Sequence, residues 1–94
     1  MIEIVGLDDV PIEVMRLFEY YADQIVKLGF KRYSADAILH RIRWHMNIER
    51  GHREFKCNNN WTAPLSRWYM KKYPELEGFF STRVRPTERR AGYD

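Results

Sequence analysis

Val14, then the adjacent Leu17 and Phe18, then Tyr21, Ile25 and Leu28 follow one another in steps of three or four residues, so a helix through them gathers all six on one side. An apolar stripe of that width must be covered by the remainder of the chain. Asp8 and Asp9, ahead of Val10 and Pro11, read as the helix entrance, with an acid at the cap and a proline in the first turn. Gly29 ends the helix, because glycine adopts the left-handed conformation there without strain. Glu13, Glu19 and Asp23 fall off the stripe, which predicts an acidic outer face and a structural role for this helix.

Two further helices complete a core. Ser34 caps the second, Asp36 meets the positive end of its dipole, and Ala35, Ile38, Leu39, Ile42 and Met46 form its buried side up to a stop near Glu49 or Arg50, before Gly51. Residues 50–54 read as a polar turn and 55–57 as a brief strand. The third helix runs over about 63–73, with Thr62 as its cap, Leu65, Trp68, Tyr69 and Tyr73 facing inward, and Pro74 barring continuation. Trp68 is expected in the core, and its truncation to Ala to cost about 3–5 kcal/mol. Phe79 and Phe80 return apolar area to that core. The alternation of Arg83, Val84 and Arg85 suits a short strand or an arm laid along a partner. The expected architecture is a single mainly α, three-helix domain over 1–94, helix-turn-helix or winged-helix-like, with 1–7 and 86–94 as flexible ends. The connection of about a dozen residues between the second and third helices departs from the usual turn of three or four.

Charge is divided along the chain. Residues 1–30 carry 2 cations against 6 acids, whereas residues 31–94 carry the other 14 cations against 7 acids, a balance of −4 followed by +7. A basic remainder of this kind points to a polyanionic partner. Asn58, Asn59 and Asn60 stand at the entrance of the third helix, where an amide can pair with adenine or, equally well, shape a tight turn. Trp61 is a stacking platform or a hydrophobic staple on Leu65. With Thr62, Ser66, Arg67, Lys71, Arg83 and Arg85 these residues make up the expected nucleic-acid contact, duplex DNA above all.

Other chemistries have little to stand on. Cys57 is the single cysteine, so no internal disulfide forms. His40 and His45 are five residues apart and share no helical face, and no acidic cluster adjoins them in sequence. No catalytic residue, metal or cofactor is therefore expected, and the chain reads as a non-enzyme. It has no apolar run near the roughly 20 residues needed to cross a bilayer and no basic flank at its start, so a cytoplasmic location is expected. A homodimer is compatible with all of this.

In order, the segments KRYSADAILHRIRWH, FKCNNN, SRWYM, YPE and GFF, with Arg83 shortly after, resemble a group of small proteins encoded in bacteriophages and prophages that carry no assigned biochemical function. The resemblance spans residues 12–85. It implies a phage or prophage origin and a bacterial host cytoplasm, and transfers no catalytic residue. Two functions follow as expectations. One is a phage-type nucleic-acid-binding accessory or regulatory protein. The other is a phage-encoded inhibitor that binds a host protein such as a defence nuclease, either by imitating phosphates with the first helix or by engaging an acidic surface.

Overall fold

The computed structural model describes residue 4 and residues 6–80. Three α-helices form the domain: α1 (Ile12–Lys27), α2 (Ala35–Trp44) and α3 (Thr62–Lys72). Among the described residues there is no strand. The expected three-helix architecture holds, and the expected strand at 55–57 does not. Phe55 and Cys57 are half-buried in an irregular segment, where the Asn47 side-chain amide donates to the Phe55 carbonyl at 3.1 Å and the Cys57 thiol to the Leu39 carbonyl at 3.8 Å. Side-chain and helix groups take the place of a neighbouring strand. The strand or arm expected at Val84 lies outside the described residues.

α1 buries Val14, Phe18 and Ala22 at four-residue spacing, with Leu17, Tyr21 and Ile25 packed on either side. Leu28 is 76% exposed, because the helix has ended and the chain turns away at Gly29 with φ 93°. The entrance also differs from expectation. Asp8 and Asp9 belong to a separate 3₁₀ turn, Leu7–Asp9, and α1 begins after Pro11, whose carbonyl accepts from the amides of Val14 and Met15. Pro11 has no N–H to leave unpaired and its extended ψ of 145° sets the chain at the first turn.

α2 follows its sequence pattern closely. Ser34 Oγ accepts from the Ala37 amide at 3.1 Å, and Ala35, Ile38, Leu39 and Ile42 are buried. The helix then widens into a π turn, His45–Glu49, that buries Met46. Gly51, at φ 73°, releases the chain while the His52 amide bonds back to the Met46 carbonyl at 2.8 Å. Asn47 also donates to the His52 carbonyl at 2.9 Å, so one side chain holds both ends of the turn over residues 52–55.

The centre of the core is aromatic. Phe18, Tyr69 and Phe80 meet with ring centroids 5.3–6.2 Å apart, and Phe79 packs on Phe80 at 4.9 Å. Trp68 is half-buried at the margin, with Lys72 over its ring at 5.4 Å. The large truncation cost expected at Trp68 therefore belongs to Phe18 and Tyr69. Phe18→Ala should cost about 3–5 kcal/mol in denaturant unfolding and Trp68→Ala clearly less. A larger loss at Trp68 would contradict this packing.

α3 is fastened to α1 through hydroxyl and carboxylate groups. Tyr69 donates to Asp23 Oδ1 at 2.7 Å, and Glu19 accepts from the Tyr73 hydroxyl and meets Lys72 Nζ at 2.8 Å. Lys72, then Tyr73, holds the Glu19 carboxyl below its usual range, and the bond to Glu19 raises the Tyr73 phenol from 10.0 to about 12. Burial, and then the bond to Asp23, raises Tyr69 as well. A raised phenol favours the fold fully below the unfolded value and loses that contribution as pH climbs to the folded one. The stability difference between the wild type and Tyr73→Phe should therefore shrink as pH rises from about 10 to about 12. A difference constant across that window would remove the hydroxyl–carboxylate bond.

Candidate nucleic-acid interface

Of the expected contact residues, Asn58, Asn59, Asn60 and Trp61 precede α3, and Thr62, Ser66, Arg67 and Lys71 lie on it at different angles. Asn58 Oδ1 accepts from the Asn60 amide at 2.8 Å, which closes a 3₁₀ turn, Asn59–Trp61, leading directly into the helix. Thr62 is the first helical residue and not the cap, since its hydroxyl donates to the Asn59 carbonyl at 3.1 Å and accepts from no helical amide among the described residues. The capping function has moved four residues back, to Asn58. Asn58, Asn59 and Asn60 are all exposed. Asn58 takes the turn-forming role foreseen for this triplet, whereas the side chains of Asn59 and Asn60 bond to no other described residue. Trp61 is half-buried against the core, in keeping with a staple more than an open platform.

Ser66 is removed from the candidate surface. It is 1% exposed, and its hydroxyl donates to the Thr62 carbonyl at 2.7 Å. The helix is rotated so that Pro64, Leu65, Ser66 and Tyr69 all point inward. Arg67 and Lys71, one turn apart, are exposed and form no salt bridge with another described residue. Lys72, next in sequence, faces α1 and is engaged by Glu19. Arg83 and Arg85 lie outside the described residues.

The acidic outer face expected on α1 is absent. Glu13 accepts from Arg50 at the end of the π turn, Glu19 is held by Lys72 and Tyr73, and Asp23 by Tyr69. The outermost residues of α1 are Ile12, Arg16, Tyr20, Gln24 and Lys27, none of them acidic. The acids lie just beside the apolar stripe, where they reach groups on the adjoining elements.

Compared with protein-family models, with curated proteins and with solved structures, the chain gives no match.

A second charged group lies where α2 passes into the π turn. Arg41 and His45 both bind Glu49, with Arg41 as a two-nitrogen fork at 3.3 Å and His45 Nδ1 at 2.8 Å. His45 and then Arg41 lower the Glu49 carboxyl from its usual range, and Arg41 stacks over Tyr21 of α1 at 5.1 Å. This cluster ties the π turn to α2 and α1. The four-residue spacing of His45 and Glu49 was a visible signal for half of it. Among the described residues, no group of three or more His, Cys, Asp or Glu is placed to hold a metal ion, and no helix is long and apolar enough to cross a membrane.

Asn58 and its neighbours have separable roles. Asn58→Ala should cost about 0.5–2 kcal/mol through loss of the turn-closing bond. Asn59→Ala and Asn60→Ala should stay within about 0.5 kcal/mol in thermal unfolding. Equal losses at all three would contradict the assignment.

Proposed function

We propose that the protein is a small nucleic-acid-binding accessory or regulatory protein of phage type, with duplex DNA held on the outer side of α3. The observation that carries this reading is the pairing pattern of the α3 cations. Lys72 is committed to Glu19, while Arg67 and Lys71 stand exposed one turn apart, downstream of the open amides of Asn59 and Asn60. Two cations at that spacing suit successive phosphates, and Asn amides suit adenine edges. Arg83 and Arg85 add two further phosphate contacts. The connection over residues 50–61 is too long for a helix-turn-helix, so docking would rest on α3 and the C-terminal cations without a preceding helix crossing the backbone.

Inhibition of a host protein is the second reading. Its phosphate-imitating form loses support, since every acid of α1 is engaged by a partner on another element. The form in which the basic face meets an acidic host surface remains, and it uses the same Arg67 and Lys71.

Anisotropy titration of labelled duplex at several salt concentrations tests the first reading. Four phosphate contacts predict a log–log slope of about −3.6, falling to about −1.8 when Arg67 and Lys71 are both changed to Ala. Asn59→Ala or Asn60→Ala should relax sequence preference by about 1–3 kcal/mol where the amide pairs with adenine. Binding indifferent to salt, or unchanged by the double substitution, would overturn it and favour capture by an acidic protein.

A further inference from the structure

The loop joining α1 to α2 presents a different chemistry from that of α3. Phe30, Lys31, Arg32 and Tyr33 are consecutive and all exposed, Phe30 at 50% and Tyr33 at 37%. The two rings meet edge to face, with centroids 5.4 Å apart and planes at 73°. That arrangement covers a face of only one ring. Lys31 and Arg32, between them, form no salt bridge with another described residue.

The loop is also held in place. The Gly29 amide bonds to the Val26 carbonyl at 3.0 Å, Ser34 caps α2, and the Tyr33 amide bonds to the carbonyl of buried Phe79 at 3.1 Å.

We propose that residues 30–33 form a binding site for single-stranded nucleic acid, in which an unpaired base stacks on the open face of Phe30 or Tyr33. Lys31 and Arg32 neutralise the adjoining phosphates. The order aromatic, cation, cation, aromatic matches a polymer that alternates flat rings with negative charge. A duplex does not fit the same site, because its base faces are covered by their neighbours in the stack. The proposal does not rest on the α3 face, and duplex binding there would be a separate property.

The test is anisotropy with labelled oligothymidylate, an abasic strand of the same length, oligouridylate and a duplex. Changing Phe30 and Tyr33 together to Ala should weaken oligothymidylate binding by about 5- to 150-fold, the range for loss of one stacked base, while duplex binding and the melting temperature stay unchanged. The abasic strand should bind the wild type about as weakly as oligothymidylate binds that variant. Changing Lys31 and Arg32 to Ala should flatten the salt slope by about 1.4, at about 0.7 per phosphate on a single strand. Tighter binding of either oligouridylate or oligothymidylate identifies the strand the loop takes. Wild-type binding that is absent, equal for the abasic strand, or unaffected by both variants would overturn the proposal. Loss of duplex binding on substitution of Arg67 and Lys71 would leave it standing.

Discussion

The docking of α3 depends on two carboxylates of α1. Asp23 takes the Tyr69 hydroxyl, and Glu19 takes Tyr73 and Lys72, so three of the four residues in 69–73 with polar ends find partners on one neighbouring helix. Each of these side chains also lies against rings, Tyr69 against Phe18 and Phe80, and Lys72 against Trp68 and Tyr73. Apolar burial draws the helices together without directional preference, and the hydroxyl–carboxylate bonds choose the rotation. Once α3 is turned so that Tyr69 and Lys72 face α1, Ser66 is carried inward and Arg67 and Lys71 outward. The exposed cationic face follows from that choice.

The connection between α2 and α3 has its own determinants. Arg41 and His45 gather on Glu49 as the helix widens, Gly51 turns the chain, and Asn47 collects the carbonyls of His52 and Phe55. A segment satisfied in this way by side chains needs no strand partner. It also has too much length and internal bonding to serve as the short turn of a helix-turn-helix. The Arg50 to Glu13 contact joins its near end to the first turn of α1.

Much of the fold was legible in the residues, and the failures have physical causes. The buried side of α2, its Ser34 cap and the stops at Gly29 and Gly51 were readable because each depends on local periodicity or on one residue's backbone preference. The site was less legible. Asn58 and Thr62 are both good caps, and which one acts depends on whether a 3₁₀ turn precedes the helix, which no local preference decides. Ser66 looked like a surface residue because a hydroxyl is polar, yet it satisfies itself on the Thr62 carbonyl and can be buried. The acids of α1 looked like a solvated face because their partners, Arg50, Tyr69, Lys72 and Tyr73, lie 37 or more residues away. Periodicity places a residue at an angle on its own helix but says nothing of which long-range group waits there.

The α1 carboxylates hold α3 with Arg67 and Lys71 turned outward, on the face proposed to bind an anion. Backbone amide spectra recorded during titration with duplex DNA at low salt test it most directly. The account predicts that the shifts concentrate at Asn59, Asn60, Arg67 and Lys71, leave Asp23 and Tyr69 in place, and fade as salt is added. Shifts centred on the outer residues of α1, or on the buried side of α3, would contradict it.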